Sequence, residues 1–397
     1  MPAGFDAGSY DDWTSQAAMQ IFPIRAFAPP GDIAGLREQV RDVVRRHQDG
    51  WAPEQRCNPW LKCDPAFSRA LGEAGLLGLT WPLQYGGQAR SVLERYVVLE
   101  ELLAHGAPCG CHWIADRQTG PLLLRYGSEG LRQKYLPGMA RGEIYACIGL
   151  SEPNAGSDLA AVRTQARRTA DGWVLNGQKI WTSNAHECQA MLALVRTEAG
   201  SERHAGLSQL MIDLDLPGIS IRPIIDMTGE HHFNEVFFDE AVIPLDALVG
   251  TEGEGWKQAM AELAYERSGP ERYLSAHMLF AELVDAVGPN PPEPVAQLIG
   301  RLAAETWTLR QMSMSTAAKL AAGEDPVIEA SIVKDLGNAF EQAMPRLIQA
   351  TVDAEILDRG VLRQMLAHVM VAAPSFSLRG GTPEVLRGII AKGLGLR

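Results

Sequence analysis

Apolar residues at Leu36, Val40, Val43 and Val44 recur at helical spacing, while Arg37, Glu38, Arg41, Asp42 and Arg45 occupy the opposite side. This pattern predicts an amphipathic helix that starts at an Asp32 N-cap and stops at Gly50. Asp64 followed by Pro65 marks a second helix start, running through Phe67, Ala70 and Leu71 toward Gly75. The same period continues from Leu93 through Leu103 and from Leu131 to Leu136, so the first third reads as helical. From about Tyr145 the period falls to two. Val162, Thr164 and Ala166 alternate with charged neighbours before Asp171-Gly172, and Trp173 and Leu175 lead to a second expected turn at Asn176-Gly177. Further β-rich runs at 191–195, 207–212, 219–224 and 236–238 predict an all-β domain of about 100 residues. The helical period returns from Gly255 in long Ala-, Leu- and Met-rich segments, broken at 288–294, at 323–326 and near Gly360. Their lengths suit an antiparallel bundle in which Met312 and Met314 fill core gaps.

The chain has 397 residues, enough for two or three domains, and the period changes divide it into an extension (1–33), a helical domain (34–143), a β domain (144–250) and a helical bundle (251–397). With 36 Lys plus Arg against 48 Asp plus Glu, the net charge is −12 and no basic run forms, which argues against a nucleic-acid partner. At 46% hydrophobic and 21% charged residues the chain can bury a sizeable core. No apolar stretch reaches membrane-spanning length, and Asp6, Asp11 and Asp12 stand where a secretory signal has basic residues. The six cysteines show no CxxC spacing, which fits free thiols in a reducing cytoplasm. Cys109, Cys111 and His112 lack a second ligand cluster, so burial is favoured over a metal site.

Three segments carry chemistry. Ser151-Glu152-Pro153-Asn154-Ala155-Gly156-Ser157-Asp158 is a turn whose backbone N–H groups can cradle an anionic or carbonyl-rich ligand, although an ordinary surface loop has the same composition. Lys179-Ile180-Trp181-Thr182-Ser183-Asn184 follows, and then Asn234-Glu235-Val236-Phe237-Phe238-Asp239 with Ile243-Pro244 and Leu248-Val249-Gly250. In this order the segments resemble the acyl-CoA dehydrogenase family. Further matches are Trp81-Pro82 with Tyr85-Gly86-Gly87, Gly127-Ser128-Glu129, Gly253-Glu254-Gly255-Trp256, and Gly381-Thr382 with Glu384 and Arg387. The resemblance implies an α+β multidomain fold with an N-terminal helical domain, a middle β-barrel-like domain and a C-terminal four-helix bundle. It also implies FAD, an acyl-CoA substrate and an electron-transferring flavoprotein or similar acceptor. By the same resemblance Ile148, Leu150, Ser151, Gly156 and Ser157 line the flavin, Ser157 also faces acyl-CoA, Trp181, Thr182 and Ser183 cover the isoalloxazine, and Thr382 adds a cofactor contact. An indole suits packing on a flat ring system, and hydroxyls suit its polar edge.

Dehydrogenation of a thioester needs a base for the α proton. Many family members place a Glu before the Gly-Thr pair, but that position is Gly380 here. A smaller branch carries the Glu on the first long helix after the β domain, which the resemblance places at Glu266. Gly380 then leaves room for Glu266 and offers its N–H to the thioester oxygen, with Gly381 beside it and Arg267 near the substrate. Read from periodicity alone, Glu266 is a solvated helix charge among Glu262, Arg267, Glu271 and Arg272. Two family motifs that hold the adenine and pyrophosphate of a neighbour's FAD are missing, and the proline-rich 288–294 segment takes the place of one. Four readings follow: a chain that holds FAD differently by itself, a homo- or hetero-oligomer in which a related chain completes the site, a noncatalytic scaffold subunit, and a flavin monooxygenase or oxidase on the same fold. Small residues at Ala317, Ala318 and Ala321 suit close packing between helices of associated chains.

Overall fold

The computed structural model describes residues 31–396 except 268, with only the helical backbone at 261–266. The acidic lead-in with Asp6, Asp11 and Asp12 lies outside the described residues.

Helix α1 (Ile33–His47) starts where the side chain of Asp32 accepts the Gly35 N–H at 2.8 Å, and it buries the Leu36, Val40, Val43 and Val44 face. Helix α2 (Pro65–Glu73) is capped in the same way, Asp64 accepting from Phe67 N–H at 3.0 Å, and it ends before Gly75. Each such cap is worth about 1 kcal/mol. Helix α3 (Val92–Ala104) opens with a reciprocal Ser91–Glu94 capping box. Helices α4 (Gly120–Tyr126) and α5 (Glu129–Ala140) complete this half.

The middle of the chain forms one sheet from β1 (Ala146–Gly149), β2 (Gln165–Arg168), β3 (Trp173–Ser183), β4 (Ala190–Arg196), β5 (Leu207–Asp213), β6 (Ile219–Ile225), β7 (His231–Ile243) and β8 (Leu248–Val249). Strand order is β6-β7-β3-β2-β4-β5-β8, with β1 parallel to β4. The run 191–195 is apolar without alternation because both faces of β4 are covered. Met191, Ala193 and Val195 join Trp173, Leu175 and Val236 in one core, while Ala190 and Leu192 join Trp81, Leu122 and Leu136 from the helical half.

Asn176-Gly177 is not a turn. Strand β3 runs straight through it and pairs with β7 across a register shift between Leu175 and Gly177. Gly177 is required there, since its φ is +147° and a Cβ would lie 2.5 Å from Thr164 Oγ1. The turn signal marks a bulge instead.

After the sheet come α6 (Gly255–Glu266), α7 (His277–Val287), α8 (Glu293–Ala321), α9 (Val327–Thr351), α10 (Gly360–Ala372) and α11 (Pro383–Gly393). Leu279, Leu302, Phe340, Met344 and Val369 from these helices, with Phe376 of the 373–377 turn, share one core with Leu36, Val40, Val98 and Leu102 of the first half. Ala317, expected at an interface between chains, instead packs within this chain on Tyr96, Met314 and Leu93.

Candidate active site

The 151–158 turn is built from its own backbone and one buried ion pair. Glu152 and Ala155 exchange N–H···O bonds of 2.9 and 3.0 Å across Pro153-Asn154. Glu152 then accepts from Arg163 N–H at 2.7 Å, Thr164 N–H at 2.9 Å and the Lys179 ammonium at 2.8 Å. Lys179 is fully buried in β3 and also donates to Leu150 O at 3.2 Å, while Ile180 N–H donates to Ser151 O at 2.9 Å. Burial pulls the Lys179 ammonium down to about 8, against the opposing pull of Glu152. Burial would raise the Glu152 carboxyl, but Lys179 and the two N–H donors outweigh it and leave it low. The turn is thereby fixed to β3.

Two residues further along β3, Trp181 adopts a left-handed φ of +59° at a second register shift, between Lys179 and Thr182. An L-residue other than Gly, Asn or Asp rarely sits there, and such strain marks sites held by their surroundings. The kink leaves the indole 57% exposed, whereas Thr182 is buried and its Oγ1 has no hydrogen-bond partner among the described residues. Ser183 is half-buried at the strand end, Gly156 and Ser157 are exposed, and a Cβ on Gly156 would meet open space. Ile148 and Leu150 are half-buried beneath the turn. The 151–158 turn and the Trp181–Ser183 kink are thus tied together through β3, whereas Thr382 lies elsewhere, at the start of the last helix. The unmatched Thr182 hydroxyl and the exposed Trp181 indole fit the polar edge and face of an isoalloxazine.

A second group gathers at the end of α6 and the loop before α11. Buried Arg267 donates from Nε to Gly380 O at 3.2 Å, and the Lys334 ammonium donates to Gly381 O at 2.7 Å. Gly380 and Gly381 both have left-handed φ, +67° and +103°, so the loop depends on glycine twice. Thr382 is the N-cap residue of α11. Glu266 ends α6, one position before Arg267.

The link between the two groups was not legible in the sequence. It is the short turn Pro59–Leu61 of the helical half. Leu61 O accepts from Asn184 Nδ2 at 3.0 Å, directly after the Trp181–Ser183 kink, and the adjacent Trp60 ring lies 4.4 Å from the Arg379 guanidinium that precedes Gly380. Asn58 and Asn184, both left-handed at φ +94° and +52°, gave the only local signal, since Asn tolerates that conformation. Cys109, Cys111 and His112 are buried, and His112 Nδ1 lies 2.7 Å from Ser68 Oγ.

A helical half, a middle sheet with a kinked β3 and a C-terminal set of helices ending in a glycine loop are the architecture of the acyl-CoA dehydrogenase fold. The family model for the acyl-CoA dehydrogenase N-terminal domain matches residues 32–143, and that for the middle domain matches 147–241. The chain belongs to the acyl-CoA dehydrogenase family, whose members are oxidoreductases. It is 36% identical over 349 residues to Acyl-CoA dehydrogenase IpdE1 of Mycolicibacterium smegmatis, covering 82% of this chain and 86% of that protein. It is 46% identical over 202 residues to Acyl-CoA dehydrogenase IpdE1 of Mycobacterium tuberculosis, where the match spans 51% of this chain and about half, 52%, of the relative. Among solved structures, the ChsE4-ChsE5 complex from Mycobacterium tuberculosis superposes with a TM-score of 0.80 at 27% identity, covering 94% of this chain and 99% of that one.

Proposed function

We propose that this chain carries out FAD-dependent α,β-dehydrogenation of an acyl-CoA thioester to the 2-enoyl-CoA, with Glu266 as the base. The observation that carries this reading is the Arg267–Gly380 hydrogen bond. It draws together the two backbone positions from which family members present a catalytic carboxylate, one holding Glu266 and the other holding no side chain at all. Arg267 and Lys334 hold the 380–381 carbonyls, which leaves the Gly380 N–H to stabilise the thioester oxygen as charge develops. Glu266 takes the α proton. The bound FAD supplies the acceptor for the β hydride. Ser151, Gly156, Ser157, Trp181, Thr182, Ser183 and Thr382 are the residues that would hold it, and Ser157 and Arg267 bear on the acyl-CoA.

The 288–292 segment, with three prolines, joins α7 to α8, where the phosphate-binding loop expected from the resemblance is missing, so a second related chain is the natural source of the remaining FAD contacts. A relative of this fold in a complex of two named chains supports that arrangement. Electrons then pass to an electron-transferring flavoprotein or similar acceptor. The test is to purify the chain alone and coexpressed with a related dehydrogenase chain. Flavin absorbance should copurify in at least one preparation, and an acyl-CoA should bleach it anaerobically. Absence of flavin from both after reconstitution sinks the enzyme reading, and consumption of oxygen with a hydroxylated product would favour the monooxygenase alternative.

A further inference from the structure

Arg379, immediately before the Gly380-Gly381 pair, sends its side chain inward to groups that the reaction above does not use. Its Nη2 donates to Glu341 Oε2 at 2.8 Å, to Ser275 Oγ at 2.7 Å and to Glu271 O at 3.1 Å, and its plane lies over Trp60 and Phe376. Its Nε and Nη1 are buried and meet no acceptor among the described residues. The same holds for Trp60 Nε1, Asn58 Oδ1, Glu271 Oε2 and both polar atoms of the Asn338 amide. Glu271 is 1% exposed and Asn338 2%.

These groups belong to one place. Asn58 N–H donates to Ser275 O at 2.8 Å, and Ser275 N–H donates to Glu341 Oε1 at 2.6 Å. Gly337 packs so tightly on Arg272 O that a Cβ would stand 2.0 Å from it, which sets Asn338 beside the 271–272 turn. Lys334, one turn before Asn338 on α9, holds Gly381 O. The cluster therefore adjoins the Gly380-Gly381 loop.

A buried polar atom left unmatched costs about 1–3 kcal/mol, and folded proteins keep few of them. Several converging from the helical half, the 270–272 turn, α9 and the 379 loop imply a partner that binds there. The set mixes donors with acceptors. Glu271 and Glu341 already face Arg117 and Arg379, so an anion would meet two carboxylates and cations that are engaged. A carbonyl oxygen accepts from the donor orphans, and a hydroxyl, which both donates and accepts, matches both kinds.

We propose that this cluster receives the far end of the acyl group, and that this end carries a keto or hydroxyl oxygen instead of plain hydrocarbon. The inference rests on the acyl-CoA reading and names the substrate class for it. A saturated hydrocarbon end would bury all the unmatched atoms against carbon, and sites built to bond an oxygen reject the analogue lacking it strongly.

The experiment compares linear and cyclic acyl-CoAs, each with and without a keto or hydroxyl group at the far end, on the flavin-loaded enzyme. Binding is read by calorimetry and oxidation by kcat/KM. The oxygenated member of a pair should be favoured by about 10² or more. Asn338→Leu should narrow that ratio by about tenfold, through the oxygenated member alone, and should keep or raise Tm because an orphaned amide is removed. Equal use of both members, or a preference for hydrocarbon, overturns the inference and leaves ordered water as the partner of these atoms, while the dehydrogenase reading stands. Equal slowing of both members by Asn338→Leu also overturns it. Should that variant fail to fold, the wild-type ratio decides alone. If no acyl-CoA binds or bleaches the flavin, the dehydrogenase reading falls and takes this inference with it.

Discussion

At the scale of single residues, two side chains make separable predictions. Glu266→Gln keeps size and hydrogen bonding but removes the proton acceptor. Flavin and acyl-CoA should still bind, while anaerobic flavin bleaching slows by about 10² or more in stopped flow. An unchanged rate would return Glu266 to the solvated helix face. A compensating Gly380→Glu should restore only a small part of the rate, because φ at 380 is +67° and a side chain is strained there. His112 gives a pH prediction. Burial lowers its pKa from 6.5 to about 4, with Asp116 pulling the other way. Above pH 6.5 the ring is neutral folded or unfolded and contributes nothing. Between pH 6.5 and 4 the unfolded chain takes up a proton that the native state refuses, so stability falls as pH falls, by about 3 kcal/mol in full. Urea midpoints at pH 7 and pH 4.5 should therefore converge in His112→Gln relative to wild type, once the change common to both proteins is subtracted.

At the scale of elements, β3 is the organiser, because one strand carries the buried lysine, the left-handed tryptophan and the residues that reach the helical half. Lys179→Met leaves the Glu152 carboxylate buried without its cation, which should cost about 3–5 kcal/mol in urea unfolding. The same variant should release flavin more readily, since the 151–158 turn loses its anchor to β3; retention equal to wild type at matched folding would separate the pair from the flavin site. Asn184→Ala removes both the bond to Leu61 O and the side chain that best tolerates φ +52°. A loss of about 1–3 kcal/mol is expected from the unmatched carbonyl and the strain, together with a shifted flavin absorbance if this bond positions the Trp181–Ser183 kink.

At the scale of the whole molecule, the described helices before and after the sheet share one core, so they pack as one body. Trp307, Leu336 and Leu378 stand 62%, 48% and 67% exposed on the C-terminal helices and loop, and the FAD contacts that this chain lacks call for a second chain. Sedimentation should show a dimer or larger assembly, either of this chain or with a related one. A fully active monomer at micromolar concentration would defeat the shared FAD site. No helix among the described residues is long and apolar enough to cross a membrane.

The sequence by itself determined what short-range rules govern: the Asp32 and Asp64 helix starts, the change of period at the sheet, and the proline-marked breaks after Val287 and before Val327, because caps, alternation and proline act within a few residues of where they stand. The first break is two residues shorter than the expected 288–294 because Pro294 sits in the first turn of the next helix. Its ordered motifs also carried the family. Tertiary structure alone decided that Asn176-Gly177 is a bulge, since Thr164 and β7 supply the long-range pairing that a turn reading omits. It also decided that Lys179 is buried on Glu152, 27 positions away, and that Arg267 reaches Gly380 across 113. A residue's partner at such separation is set by the packing of layers, which no local pattern of polar and apolar positions encodes. For the same reason the Pro59–Leu61 turn, unremarkable as a string of letters, became the bridge between the two halves of the site.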